Sequence, residues 1–82
     1  MYLVPLGEPY YKDVNEGTCQ GGSKIMTADE CKAACEYIGI TKLGRRKNGK
    51  ECYIAGNGKC RQEPNRGSKT LLVCKRGNSF WY

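Results

Sequence analysis

Six cysteines (Cys19, Cys31, Cys35, Cys52, Cys60 and Cys74) stand in a chain of 82 residues that contains no histidine. A chain this short buries so little apolar surface that its core alone gives only a few kcal/mol. The composition sharpens the problem, because only 39% of the residues are hydrophobic and 11 are glycine. Something besides the core must stabilise the fold. Loss of one disulfide typically costs a small secreted domain about 2–5 kcal/mol, comparable with its whole stability. Two other uses of cysteine fit less well. A zinc site usually shows paired C-x₂₋₄-C spacings, often with histidine. Here only Cys31 and Cys35 lie that close, a second such pair is missing, and no histidine is present. A catalytic thiol would lack a histidine base. Three disulfides and no metal are therefore expected.

Disulfides point to an oxidising compartment, so the chain is expected to be secreted or otherwise extracellular. The opening MYLVPL lacks the charged region and apolar stretch of a signal peptide, which makes Met1 an expression start on a mature segment. No apolar run approaches membrane-spanning length.

Along the chain, residues 1–16 read as an extended N-terminal arm, 17–76 as the disulfide-stapled domain and 77–82 as an aromatic tail. The clearest local signal is a helix over about 28–38. Thr27 to Glu30 fits a capping box, in which the Thr27 hydroxyl accepts from the Glu30 amide and the Glu30 side chain reaches back. Asp29 and Glu30 suit the positive end of the helix dipole. Cys31, Ala34, Cys35 and Ile38 share one face at i, i+3, i+4, i+7. Gly39 stands where a left-handed residue ends a helix, and Ile40 can cover the last turn.

The remainder reads as strands. Residues 51–55 and 59–63 flank Gly56-Asn57-Gly58, a hairpin turn. A three-residue loop pairs 54 with 60 and puts Cys52 and Cys60 on one face, because side chains alternate. A two-residue Asn57-Gly58 loop would put them on opposite faces. The three-residue loop is favoured, since both cysteines then look toward the helix. Residues 70–75 form the most apolar strand, with Leu72 and Cys74 on one face. A short strand near 17–19 adds an edge, and 41–50 and 64–69 are polar loops. The fold class is thus α+β: one capped helix on a short antiparallel sheet of three or four strands. Its layout is that of cysteine-stabilised αβ toxins and defensins, without the C-x-C they usually carry on the last strand.

Cys19, the run Ile25-Met26-Thr27 to Glu30-Cys31, then Ala33, Ala34, Ile38 and Gly39, then Cys52-Tyr53, the Gly56-Asn57-Gly58 turn and Cys74 form a pattern over about residues 17–76. It resembles that of the short cysteine-rich modules that recur in extracellular proteins of marine microalgae and some invertebrates. Met26 and the basic loop depart from that pattern. The resemblance implies a four-cysteine framework of Cys19, Cys31, Cys52 and Cys74, with Cys35 and Cys60 as an added pair. Taken with the helix and hairpin, it implies the pairing Cys19–Cys74, Cys31–Cys52 and Cys35–Cys60. The main competitor exchanges the partners of the two helix cysteines. The resemblance carries over no functional residues.

Charge is the strongest functional signal. Residues 1–41 hold three lysines against six acids, a net of −3. Residues 42–82 hold eleven bases against two acids, a net of +9. Lys42, Arg45, Arg46, Lys47 and Lys50 crowd one loop, Lys59 and Arg61 flank Cys60, and Lys75 and Arg76 end the last strand. Such a distribution serves solubility at the least. Read functionally, it is a surface for an anionic partner: an acidic lipid surface, an ion-channel mouth or an acidic glycan. Nucleic acid is not expected outside the cell. Gly44 to Lys47 also reads as a dibasic processing site on an exposed loop. Phe80, Trp81 and Tyr82 suit contact with a lipid interface or a sugar face; equally, the tail can fold back on an edge or on the N-terminal tyrosines.

No nucleophile motif or phosphate-binding loop is present, and the carboxylates available for glycoside hydrolysis lie mostly on one solvent-facing helix side. No catalytic residue and no cofactor are expected. The expected protein is a monomeric, cationic defence or toxin-type molecule; the alternative is a non-enzymatic extracellular recognition module that binds an acidic glycan or a surface protein.

Overall fold

The computed structural model describes residues 3–5, 8–13, 18–67, 70–76 and 79–81. Its elements are β1 (Leu3–Pro5), β2 (Tyr10–Asp13), β3 (Ser23–Lys24), α1 (Ala28–Tyr37), β4 (Tyr53–Ile54), β5 (Cys60–Arg61), β6 (Leu71–Lys75) and β7 (Ser79–Trp81). One helix packs on an antiparallel five-stranded sheet, and three disulfides cross-link the chain. The fold is a small disulfide-rich α+β domain.

The helix begins and ends for reasons visible in its sequence. Thr27 is extended at φ −108°, ψ 145°, and its Oγ1 accepts from the Glu30 N–H at 3.4 Å. At the other end the Gly39 N–H donates to Glu36 O and the Ile40 N–H to Cys35 O. These two bonds close a Schellman motif, which needs a left-handed residue at Gly39, found at φ +91°. The capping box is only half formed. The Glu30 carboxylate turns to Lys75 Nζ at 3.1 Å instead of back to the Thr27 amide. A charge-assisted bond to a cation is stronger than one to a neutral amide, so the lysine wins the carboxylate.

β6 is the hub of the sheet because its successive residues are apolar enough to be covered on both faces; Leu72, Val73 and Cys74 are all buried. Along one edge it pairs with β2, Tyr10 opposite Lys75 and Asp13 opposite Leu72. Along the other it pairs with β4 at its start and β3 at its end. Alternation sends Val73 toward the helix, into a cluster with Ile25, Cys31, Ala34, Cys35, Cys52, Ile54 and Cys60. Leu72 and Cys74 point to the opposite face, where they meet Tyr53, Tyr11 and Cys19.

The hairpin has the three-residue loop. Ile54 pairs with Cys60, the Ala55 N–H donates to Lys59 O, and the Gly58 N–H returns to Ala55 O. Cys52 and Cys60 consequently both face α1. Cys31–Cys52 and Cys35–Cys60 pin the helix to the hairpin, while Cys19–Cys74 ties the chain to β6 on the far face. This is the pairing that the resemblance implied.

Three expectations change. No strand is found at 18–19, and Gly17 lies outside the described residues; Ser23–Lys24 supplies that pairing instead. Tyr10–Asp13, read as part of an arm, is an integral strand, since its alternate tyrosines find a partner face on each side of β6. With these two segments recruited, the sheet has five strands rather than three or four. The aromatic tail pairs with the N-terminus, Leu3 opposite Trp81 and Pro5 opposite Ser79, in a separate two-stranded sheet.

Candidate functional site

The segment after the helix, 41–50, is not a free polar loop. Leu43 forms a parallel bridge with Cys60, the Cys60 N–H donates to Lys42 O, and the Gly44 N–H donates to Cys60 O. The Gln62 N–H then donates to Arg45 O. Residues 42–45 therefore lie as an added edge along β5, with Lys42 in register beside Lys59 and Gly44 beside Arg61. A side chain at Gly44 would collide with Arg61, since a Cβ there would stand 2.8 Å from its Cγ. Glycine lets the arginine stem lie flat across the neighbouring chain.

The far end of this segment is tied to the helix start. Asn48 Oδ1 accepts from the Ala28 N–H at 2.7 Å, filling one of the amides that a helix leaves open. Arg46 Nη1 donates to Ala28 O at 2.9 Å. From within, Gln62 completes the anchorage: fully buried, its Nε2 reaches the carbonyl oxygens of Lys50, Thr27 and Ile25 at 3.0, 3.2 and 3.4 Å. The basic segment is thus held to β5, to the helix N-terminus and to a buried amide.

The nine basic residues singled out by sequence divide into three groups. Arg46 is bonded to the helix. Arg61 pairs with Glu63 at 3.2 Å, Lys75 with Glu30 at 3.1 Å, and the Arg76 guanidinium lies 4.4 Å from the centre of the Tyr11 ring. Burial, and then the Asp13 carboxylate, raise the Tyr11 phenol above its usual pKa, and Arg76 pulls the other way. These four cations are engaged within the molecule. Lys42, Arg45, Lys47 and Lys59 are exposed, and among the described residues their side chains have no partner. Lys50, half-buried, lies by a cleft whose lining includes Met26, Glu51, Glu63 and Arg66. Lys75 and Arg76, at the end of β6, belong to a different part of the sheet from the 42–47 edge.

Phe80 and Trp81 lie in β7, and Tyr82 lies outside the described residues. The opposite sign of charge has its own place: Asp29 and Glu36 are exposed on α1.

Sequence reading missed two features. Gln62 looked like one more polar residue of a strand, and only its position between three carbonyls marks it. The second is a cluster of sulfurs. Cys31, Cys35, Cys52 and Cys60 are all fully buried, and their Sγ atoms lie within 4.8 Å of one another. The hairpin register supplies the second pair that linear spacing lacked. Among the described residues no helix is long and apolar enough to cross a membrane. No protein-family model matches the chain, and neither does any curated protein or solved structure.

Proposed function

We propose that this is a secreted, cationic binding protein of defence or toxin type, which docks on an anionic membrane or ion-channel surface through the edge formed by residues 42–47 and β5. One observation carries the reading. Lys42, Arg45, Lys47 and Lys59 are exposed and have no counter-ion among the described residues, on a backbone held at fixed spacing by β5 and by disulfides. Cations that serve only solubility need no such rigid presentation. A rigid array meets a polyanion without the loss of backbone freedom that a loose loop would suffer on binding.

A second reading, recognition of an acidic glycan by an extracellular module, rests on the exposed apolar residues. Among the described residues the large ones are Met26, Tyr37 and Leu43, from three separate segments. Such a surface favours contact over insertion into lipid.

Binding to anionic and to neutral vesicles, with release of an entrapped dye, tests the proposal. Near an anionic surface each lysine or arginine contributes about 1 kcal/mol. The Lys42→Gln/Arg45→Gln/Lys47→Gln/Lys59→Gln variant should therefore bind on the order of a thousandfold more weakly. Lys32→Gln, on the solvent side of α1, should leave binding unchanged. Salt-sensitive leakage favours the membrane reading, whereas silent, salt-sensitive retention on sulfated polysaccharide favours the glycan reading. Binding by the quadruple variant equal to the parent's overturns both.

A further inference from the structure

The four sulfurs between α1 and the hairpin are disulfide sulfurs, Cys31 with Cys52 and Cys35 with Cys60, and as such carry no charge and ligate nothing. Their arrangement nevertheless has a second chemistry. Cys31 and Cys35 project one turn apart from the buried face of the helix, and Cys52 and Cys60 face them from the hairpin. Between the two disulfides, Cys31 Sγ lies 3.4 Å from Cys60 Sγ, Cys35 Sγ lies 3.9 Å from Cys52 Sγ, and Cys52 Sγ lies 3.9 Å from Cys60 Sγ. A zinc ion bound to four thiolates at about 2.3 Å needs its sulfurs about 3.8 Å apart at the corners of a tetrahedron. Three of the six corner-to-corner distances are therefore already near that value.

We infer that reduction of these two disulfides converts the cluster into a four-thiolate site for one divalent zinc ion, which then holds the helix on the hairpin in place of the covalent links. A dithiol or phosphine reductant supplies two electrons to each disulfide, its own sulfur or phosphorus being oxidised, and two protons complete the thiols. Binding of the metal then expels the four thiol protons and leaves a complex of net charge −2. Two features suit such a complex. Ile25, Ala34, Ile54 and Val73 pack with the four cysteines in one buried apolar cluster, as suits a closed structural zinc site. Cys31 sits in the first turn of α1, where the helix dipole favours negative charge. Cys19–Cys74, on the opposite face of the sheet, takes no part. The same fold would then be stapled by disulfides in an oxidising compartment and by metal in a reducing one.

Cobalt titration of the full-length chain tests this, because tetrahedral cobalt thiolates show strong ligand-field bands in the red that octahedral cobalt lacks. The chain is fully reduced with a phosphine without oxygen, and the phosphine is removed before Co²⁺ is added. The expected result is a four-thiolate spectrum that saturates at one Co²⁺ per chain and is displaced by Zn²⁺. Helical circular dichroism, lost on reduction, should return with it. The Cys19→Ser/Cys74→Ser variant should keep the spectrum, and Cys35→Ser/Cys60→Ser should lose its intensity. The oxidised protein should show none. Absence of the red bands overturns the inference, and so does a spectrum kept by Cys35→Ser/Cys60→Ser or lost in Cys19→Ser/Cys74→Ser. None of these outcomes depends on whether the protein binds an anionic partner.

Discussion

Gln62 is the side chain on which the position of the basic edge most depends. Its amide is fully buried and donates to carbonyls of the β3–α1 connection and of the 41–50 segment, two stretches that share no strand pairing. Its Oε1 is buried without a partner, so the amide is retained for what its nitrogen does. Gln62→Leu keeps the volume and removes the donors; Ile25 O keeps the Cys52 N–H and Thr27 O keeps the Cys31 N–H, so Lys50 O is the carbonyl left without a donor among the described residues. Such a group costs about 1–3 kcal/mol, and part of this is recovered where water reaches Lys50. The expected loss is therefore about 1–2 kcal/mol, measured by guanidinium unfolding of the oxidised protein. A change below about 0.5 kcal/mol, usual for surface substitutions, would mean that the amide anchors nothing. Nothing in the local pattern distinguishes Gln62 from Glu63 beside it; the difference lies in what folds over each.

The ten-residue helix is short enough that its ends matter as much as its middle. It borrows one cap from its own sequence and one from afar. The Thr27 hydroxyl is local and was legible as the first half of the capping box, and so was the Gly39 ending. Asn48 is remote: it satisfies the Ala28 amide only because residues 42–45 are laid along β5 and bring position 48 round to the helix start. A capping side chain contributes about 1 kcal/mol. Thr27→Ala and Asn48→Ala should each lower stability by that amount. The Asn48 variant should in addition speed amide hydrogen exchange in the 44–50 segment. If only the helix amides responded, Asn48 would be a cap and not a tether. The box's second half failed for a tertiary reason, as Lys75 at the end of β6 competes for the Glu30 carboxylate.

For the folded protein the question is how cross-links and core divide the stability. The Cys19–Cys74 link spans 55 residues and Cys31–Cys52 spans 21. Loop-closure entropy alone makes the longer link the more stabilising by about 0.9 kcal/mol. Packing opposes this, since Cys31 and Cys52 are wholly buried while Cys19 is partly exposed. Removing a buried sulfur costs on the order of 1 kcal/mol in lost contacts and cavity. Three of the four sulfurs in these two links are fully buried, so the packing difference nearly offsets the entropic one. The Cys31→Ala/Cys52→Ala variant also leaves the single remaining helix staple beside a void. It should lose at least as much stability as Cys19→Ala/Cys74→Ala, with both losses within about 2–5 kcal/mol. Thermal unfolding of the two double variants decides. A much larger loss for Cys19→Ala/Cys74→Ala would show that chain entropy, not packing, governs this fold.

Much of this architecture is written locally. Hydrophobic period, a hydroxyl before the helix and a glycine after it depend on neighbours within a turn, so α1 and its cysteine face could be read from residues 27–40 alone. The glycine-rich turn allowed two hairpin registers, and the need for Cys52 and Cys60 both to face the helix favoured the one that the structure has. The basic character of the second half was equally plain. Tertiary structure decided the rest, because the deciding contacts join residues far apart in the chain. Pairing with β6 made strands of Tyr10–Asp13 and Ser23–Lys24, segments too short to declare themselves. Annealing of residues 42–45 onto β5 turned a polar loop into an edge, and contacts with a carbonyl, a ring and two carboxylates engaged four of the nine cations within the molecule. The same packing gathered four sulfurs that no linear spacing brings together. Side-chain periodicity is a property of a few successive residues; who pairs with whom across the core is settled only when the chain closes on itself.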